Sequence, residues 1–177
     1  MSLNSDRVYE LEDSAEFQFW SSCNSYGLRF ERSGLDGIIR SCESTYPNET
    51  GGIVIGSYTV SLDCALATNF TKAPPDSKSG KTWFRRGIRG LKRLLDMHWK
   101  SQEFYLGEWH FHPNGEPDPS LTDRQQLERF SLSSNINCFE PILLIFGGNP
   151  SLTWKIRVFV FPRNQSYLEM HYLDHQS

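Results

Sequence analysis

The sequence predicts an α/β fold, in which a single domain builds a mixed β-sheet packed between helices. Its 177 residues are enough to bury a core without disulfide support. Helix-like and strand-like patterns alternate for most of the chain. Two segments rich in β-branched and aromatic residues end that alternation, with Gly147-Gly148-Asn149-Pro150 as the turn of a closing β-hairpin. Elements in this order favour a layered sandwich.

The N-terminal elements are two strand patterns and a helix. Residues 1–15 are polar and acidic and are predicted to form a flexible lead-in, so that the domain covers residues 16–177. Loose alternation over residues 16–32 indicates one or two strands. A helix is predicted to begin at Ser33-Gly34-Leu35-Asp36, because the residues that follow are apolar at helical spacing: Leu35, Ile38, Ile39 and Cys42.

The middle of the chain combines strands, a loop and an amphipathic helix. Residues 51–60 and 62–70 are predicted to be two strands with a tight connection. Residues 71–82 are rich in Pro, Ser, Gly and Lys and predict a loop with little capacity to pack. A helix is predicted over about 86–100, since four apolar residues lie on one side of it: Ile88, Leu91, Leu94 and Leu95.

The C-terminal third is predicted to contain three strands and one helix. Residues 104–111 form the first strand, and the loop 113–119 leads into a helix that begins near Ser120. The strands 141–147 and 153–161 form the closing hairpin. Trp109 and Phe111, like Trp99 of the preceding helix, are expected in the core.

Composition excludes several classes of function. A formal net charge of −3 disfavours a general nucleic-acid binder, which needs a strongly basic face. The longest apolar runs are too short to span a bilayer. No basic segment followed by an apolar stretch opens the chain, so we expect no secretory signal and a cytoplasmic location. The four cysteines form no CxxC pair, and we expect reduced thiols mostly in or near the core.

The run Glu108-Trp109-His110-Phe111-His112-Pro113 carries the strongest functional signal. Successive side chains of a strand point to opposite faces, so His110 and His112 share one face. Pro113 cannot donate to a sheet ladder, which ends the strand and leaves the histidine pair at its rim. Two imidazoles that converge on one point predict a metal site.

Asp123 is predicted to be the third ligand. Seven residues separate His112 from Ser120, and two separate Ser120 from Asp123, which places Asp123 in the first turn of the next helix. Three protein ligands leave a fourth tetrahedral position for water, an arrangement typical of catalytic rather than structural zinc. Such zinc lowers the pKa of its water to about 7 and polarises the scissile carbonyl. We therefore expect one Zn²⁺ per chain.

Two glutamates are candidates for the general base. Glu49 precedes Gly51-Gly52 and a strand, and the glycines allow close approach of a neighbouring element or a substrate chain. From there Glu49 could pass a proton from water to the leaving amine. Glu108 lies two residues before His110 on the ligand face, so spacing alone leaves it open as the base or as a partner of a histidine.

The pattern His-x-His-Pro-x₆-Ser-x₂-Asp, with an upstream Glu beside Gly-Gly and a strand, resembles the JAMM signature of MPN⁺ (JAB-domain) metallopeptidases. The segments ETGGIVIG at 49–56 and YLGEWHFHPNGEPDPSLTD at 105–123 resemble its prokaryotic branch. The resemblance covers about residues 30–160. It implies an MPN/JAB-like, cytidine-deaminase-like sandwich, zinc bound by His110, His112 and Asp123, and Glu49 as the base. Ser120 would stabilise the oxyanion.

The resemblance also implies a substrate class. Members of that branch accompany bacterial ubiquitin-like conjugation enzymes (E1- and E2-like), and some accompany antiphage systems that attach a cyclic-nucleotide synthase to targets and remove it. We therefore expect an isopeptidase or peptidase that cuts after the C-terminus of a ubiquitin-like protein or an analogous conjugated protein. No nucleic acid or membrane partner is expected.

Other enzymes with an HxH pair fit less well. Zinc nucleoside deaminases require a CxxC that this chain lacks. Amidohydrolase barrels need about 250 residues, and metallo-β-lactamase-like sites continue as HxHxDH, whereas this chain continues as HFHPNG. The alternative from another class is a non-catalytic MPN-like scaffold that binds partner proteins. Such members typically lose ligands, whereas all five signature positions are present here.

Two further features have structural interpretations. Ser120-x-x-Asp123 is also a capping-box pattern, which is compatible with a role in the site. Residues 72–100 hold nine of the 18 Lys and Arg residues and two acids, which favours a solvated helix face and a flexible loop. Alternatively, this stretch forms one wall of a groove for an extended peptide.

Overall fold

The structure, a computed structural model, describes residues 15–173, so the predicted lead-in lies outside the described residues except for Ala15. Ten strands and three helices follow one another in this order: β1 (Glu16–Ser21), β2 (Gly27–Glu31), α1 (Arg32–Thr45), β3 (Thr50–Tyr58), β4 (Cys64–Phe70), β5 (Lys78–Gly80), β6 (Trp83–Arg85), α2 (Leu91–Trp99), β7 (Phe104–Pro113), α3 (Leu121–Leu132), β8 (Ile142–Asn149), β9 (Thr153–Val160) and β10 (Leu168–Tyr172).

Eight of these strands form a closed barrel in the order β1-β10-β9-β8-β7-β3-β4-β2. The sheet is mixed, as predicted, because β2 pairs with β4 and β7 with β8 in parallel, while the other pairs are antiparallel. The predicted layered sandwich is wrong in one respect: the sheet closes, because the hairpin of β1 and β2 joins its two edges. Strand alternation cannot reveal which edges meet, because edge pairing is a long-range contact.

Side chains divide between an inner and an outer layer. On β8, Ile142, Leu144 and Phe146 belong to the inner core, whereas Leu143 and Ile145 belong to a smaller cluster on the other face. Helix α1 contributes three buried side chains to the inner core: Leu35, Ile38 and Cys42. Helix α3 covers the outer cluster with Leu127. Helices therefore pack on both sides of the sheet even though the sheet closes.

The segment before β7 differs most from the prediction. The predicted loop 71–82 contains β5, which pairs with β6 as a two-stranded hairpin. Helix α2 begins at Leu91 rather than near residue 86, after Gly90 with φ of 86°. The Asp76 carboxylate accepts the backbone N–H groups of Ile88 and Arg89 at 3.1 and 2.9 Å and holds this stretch outside the helix. Ile88 is 75% exposed as a result.

The structure buries two of the three expected core aromatics and three of the four cysteines. Trp109 and Phe111 are buried, as predicted, but Trp99 is 63% exposed because α2 buries no side chain fully. All four cysteines are free, and three of them are buried (Cys42, Cys64 and Cys138), while Cys23 is exposed. Within the range that the structure describes, no helix has the length and apolar character needed to cross a membrane.

We predict that the two tryptophans contribute very differently to stability. Trp109→Ala removes a side chain that is 1% exposed and donates its indole N–H to the Thr71 carbonyl at 2.9 Å. We expect this change to lower the free energy of unfolding by about 3–5 kcal/mol. Trp99→Ala is the matched control and should cost about 1 kcal/mol or less. Urea unfolding followed by circular dichroism measures both, and equal losses would contradict the assigned burial.

Candidate metal centre

Strand β7 presents a polar face and an apolar face. Trp109 and Phe111 point into the inner core, and the residues that alternate with them, Glu108, His110 and His112, lie on the outer face. The pairing of β7 with β3 ends at Thr50 opposite Phe111, so His112 lies just beyond that ladder. Strand alternation places the two histidines on one face, as predicted, but Pro113 does not end the strand, because β7 stays paired with β8 through Pro113 opposite Gly148.

Helix α3 brings Asp123 to the same place. Ser120 is the N-cap, and its hydroxyl accepts the Asp123 backbone N–H at 3.1 Å. The Asp123 carboxylate accepts the Ser120 backbone N–H at 2.9 Å and the Ser120 hydroxyl at 2.6 Å, both through Oδ2. This capping box was predicted, and its side-chain bonds aim the other oxygen, Oδ1, at His110.

His110, His112 and Asp123 converge, with one potential ligand atom of each within 4.8 Å of the others. The Nδ1 atom of His110 lies 2.9 Å from Asp123 Oδ1. The Nδ1 atom of His112 lies 3.3 Å from the Glu116 carbonyl oxygen, which can only accept, so the Nε2 atom of His112 keeps a free lone pair. Two imidazoles and a carboxylate are a donor set that fits zinc.

The charges at this cluster are strongly coupled. Burial acts to lower the pKa of His110, but its hydrogen bonds with Asp123 and Glu108 outweigh burial and raise the pKa to about 9. Burial acts to raise the pKa of Asp123, but the hydrogen bonds from His110 and Ser120 lower it to about 2. The metal-free protein therefore holds an imidazolium–carboxylate pair where the ligands converge.

Glu108 is fully buried, and both of its carboxylate oxygens are engaged. Oε1 accepts two N–H groups of Arg86, from Nε at 3.1 Å and Nη2 at 2.8 Å. Oε2 lies 3.4 Å from His110 Nε2. Burial acts to raise the pKa of Glu108, but these partners lower it below its usual value. A carboxylate held in this way is a histidine partner rather than a base with access to water.

Glu49 is half-buried and lies immediately before β3. Its backbone N–H donates to the Gly80 carbonyl at 2.9 Å, so the β5–β6 hairpin holds the segment that carries it. Desolvation raises the pKa of Glu49 to about 7, with a smaller lowering effect from His110 and a raising effect from Asp123. A carboxyl group with a pKa near neutral is suited to accept and return a proton.

Gly51 lies next to the site at a position where a larger residue would not fit. It pairs with His110 in the ladder between β3 and β7. A Cβ at this position would lie 2.9 Å from the His110 ring and 3.0 Å from the Phe84 ring. The ring of Phe84 in turn meets the His110 ring edge-on, with 5.8 Å between centroids. Gly51 therefore allows β3 to lie close to β7 and β6, which is the first of the two explanations offered for the glycine pair.

Sequence reasoning missed Arg86 and Phe84. Both lie on or next to β6, inside the basic stretch that was interpreted as a solvated face, and no local pattern distinguishes them from their neighbours. Arg86 is only 13% exposed at its side chain. The one available hint was Glu108, because an acid on a buried strand needs a cationic partner. The loop 113–119 is also tied down, since Glu116 contacts Lys155 and Asp118 contacts Arg157.

Comparisons with known proteins identify a family and several similar proteins. Residues 31–157 match the family of prokaryotic homologs of the JAB domain. The chain is 37% identical to a CD-NTase/cGAS isopeptidase of Enterobacter hormaechei over 145 residues, 82% of this chain and 81% of that protein. It is 24% identical to probable metalloprotease y4qB of Sinorhizobium fredii over 122 residues, 67% of this chain and 74% of that protein.

A solved structure supports the fold. The solution structure of protein DSY2949 from Desulfitobacterium hafniense aligns with a TM-score of 0.58 at 14% sequence identity. The alignment covers 79% of this chain and 87% of that chain.

The raised pKa of Glu49 predicts how stability depends on pH. A carboxyl whose pKa rises on folding, here from 4.5 to about 7, stabilises the protein below 4.5, and that contribution is lost as pH rises through 7. We therefore expect Glu49→Gln to gain stability relative to the wild type between about pH 5 and pH 8. Urea unfolding of the metal-free proteins measures this difference, with Glu43→Gln at an exposed position of α1 as the control. A gain independent of pH would contradict it.

Proposed function

This chain belongs to the family of prokaryotic homologs of the JAB domain, and from that membership we propose that it is a zinc-dependent isopeptidase. One observation carries the proposal. His110, His112 and Asp123 converge within 4.8 Å, close enough to Glu49 for the charges of His110 and Asp123 to act on its pKa. Ligands and base thus come from three separate elements, β7, α3 and the start of β3.

The proposed roles follow from the donor chemistry. His110, His112 and Asp123 would hold one Zn²⁺ and leave a position for water or substrate. Zinc bound there would supply a polarised carbonyl and a water of lowered pKa. Glu49 takes the proton of the attacking water, whose oxygen bonds to the carbonyl carbon, and delivers it to the amine nitrogen as the C–N bond breaks. This exchange returns Glu49 to its starting state.

Ser120 has two proposed contributions. Its hydroxyl orients Asp123 through the 2.6 Å bond to Oδ2. The family pattern assigns the same hydroxyl to stabilisation of the oxyanion that forms when water adds to the carbonyl. Ser120 is exposed at the start of α3, so a substrate carbonyl can approach it. Donation to an oxyanion requires the hydroxyl to leave Asp123, while the backbone N–H of Ser120 keeps its own bond to that carboxylate.

The proposed substrate is a protein conjugate. Relatives of this chain carry the name CD-NTase/cGAS isopeptidase, including one 37% identical to it. We extend that name to this chain as a proposal. The scissile bond joins the C-terminus of a cyclic-nucleotide synthase of the CD-NTase type, or of a ubiquitin-like protein, to an amine of a target. E1- and E2-like conjugation enzymes would then make the bond that this protein hydrolyses, and the system would serve antiphage defence.

Metal content and activity are expected to separate on mutation. Glu49→Ala should retain about one zinc per chain but lose activity by about 10²–10⁴-fold, because a general base contributes that much. His110→Ala should lose zinc and activity together. Glu140→Gln is the matched control, since Glu140 is also half-buried with a pKa raised by desolvation. Elemental analysis and single-turnover cleavage measure the two properties, and an active Glu49→Ala protein would exclude Glu49 as the base.

Cleavage is expected to depend on the metal and to cut at one bond. The zinc-loaded protein is mixed with conjugates and C-terminal fusions of CD-NTase and ubiquitin-like proteins, and mass spectrometry maps the products. We expect a cut directly after the C-terminal residue of the modifier, abolished by a chelator and restored by added Zn²⁺. Binding of these proteins without cleavage would instead support the non-catalytic scaffold.

A further inference from the structure

The side chains of Arg86, Glu108, His110 and Asp123 form a continuous series of buried contacts at the site. Arg86 donates twice to Glu108 Oε1, at 3.1 and 2.8 Å. Glu108 Oε2 lies 3.4 Å from His110 Nε2, and His110 Nδ1 lies 2.9 Å from Asp123 Oδ1. Their side chains are 13, 0, 10 and 10% exposed, in that order. The roles proposed above for the metal site make no use of Arg86 or Glu108.

The order of contacts distinguishes the two ring nitrogens of His110. Both ring nitrogens face a carboxylate, which is an acceptor only, so both carry hydrogen in the imidazolium. Asp123 is a proposed metal ligand and Glu108 is not, so a metal would replace the hydrogen on the Asp123 side, and the nitrogen that faces Glu108 would keep its hydrogen. That nitrogen is Nε2, and the nitrogen on the Asp123 side is Nδ1. His112 is arranged the other way, because its Nδ1 faces the Glu116 carbonyl. The two histidines therefore offer different nitrogens to the point where the ligands converge.

We propose that Glu108 and Arg86 are positioning residues for the metal site, in which Glu108 holds the Nε2 hydrogen of His110 so that Nδ1 binds the metal. Arg86 keeps that carboxylate in place. The proposal rests on the zinc site proposed above. Metal-binding histidines commonly donate their second ring N–H to a carboxylate, which orients the ring and raises its basicity.

Arg86 is suited to this task by its geometry. A buried carboxylate needs a paired charge to remain ionised. The fork of Nε and Nη2 occupies only Oε1, which leaves Oε2 for His110. Arg86 is itself held, because Nη1 donates to the Gly87 carbonyl at 3.1 Å. It follows directly after β6, so the β5–β6 hairpin contributes both Phe84, which packs on His110, and the cation that holds Glu108.

The ring nitrogens can be read directly by ¹⁵N NMR of the histidine side chains in the zinc-loaded protein. The proposal expects His110 to be bound through Nδ1 and protonated at Nε2, and His112 to be bound through Nε2. Zinc binding by His110 through Nε2 would overturn this inference but leave the proposed isopeptidase intact. If neither histidine shows a metal-bound nitrogen in the presence of one equivalent of zinc, both proposals fail.

Zinc affinity provides a second readout, measured by competition with a chromophoric chelator. Glu108→Gln cannot satisfy both neighbours, because its amide nitrogen must face either Arg86 or the Nε2 hydrogen of His110. We expect zinc to bind about 10–100-fold more weakly. Glu103→Gln is the matched control, since Glu103 also pairs with a histidine, His98, at 2.6 Å, but outside the site. Equal affinity in the two variants would overturn the role of Glu108.

The role of Arg86 is tested through Glu108. Arg86→Met should also weaken zinc binding, and the Arg86→Met/Glu108→Gln double variant should be no weaker than Glu108→Gln alone, because Arg86 acts only through that carboxylate. Multiplicative losses in the double variant would overturn this assignment. Circular dichroism and the visible spectrum of the Co²⁺-substituted proteins separate a changed ligand geometry from a fold that is merely less stable. An unchanged Co²⁺ spectrum in Glu108→Gln would count against positioning.

Discussion

Strand β7 must satisfy two opposite environments at once, and the rest of the structure depends on that constraint. Its inner face buries Trp109 and Phe111 in the main core, while its outer face carries Glu108 and His110, which are also buried. Apolar burial stabilises the first face at about 25 cal/mol per Å². The second face is tolerated only if every charge on it has a partner. Glu108 and His110 are partners of each other, and their further partners come from other elements of the chain.

The partners converge from both sides of β7 in sequence. Arg86 comes from the hairpin that precedes it, and Asp123 comes from the helix that follows it. The capping box of α3 has two effects. It provides hydrogen-bond acceptors for the backbone N–H groups of Ser120 and Asp123, and it turns Asp123 Oδ1 toward His110. The charges compensate one another, so the same contacts that make the outer face stable also orient the groups proposed to bind zinc.

The elements around the site were predicted with uneven success, for reasons that can be traced to particular residues. The strand with His110 and the helix that begins near Ser120 were predicted close to their observed positions because period-2 alternation and a capping box are local signals. The helix α2 was predicted five residues too early, because side-chain capping by Asp76 holds Ile88 and Arg89 in a loop. Trp99 has the large aromatic side chain that is typical of a core residue, yet the helix that carries it lies on the surface.

The sequence by itself determined the family and the residues proposed for the metal site. The spacing of His110 and His112 places both on one face of a strand, and the spacing of Ser120 and Asp123 places both at the start of the next helix. Only the tertiary structure decided that the sheet closes into a barrel, that Glu108 is a partner of His110, and that Arg86 belongs to the site. The relative direction of side chains a few residues apart is fixed by the backbone geometry of the strand or helix that carries them. Edge pairing and the Arg86–Glu108 ion pair join segments far apart in the chain, so no local pattern reveals them, and it is Arg86 that fixes Glu108 as a partner of His110.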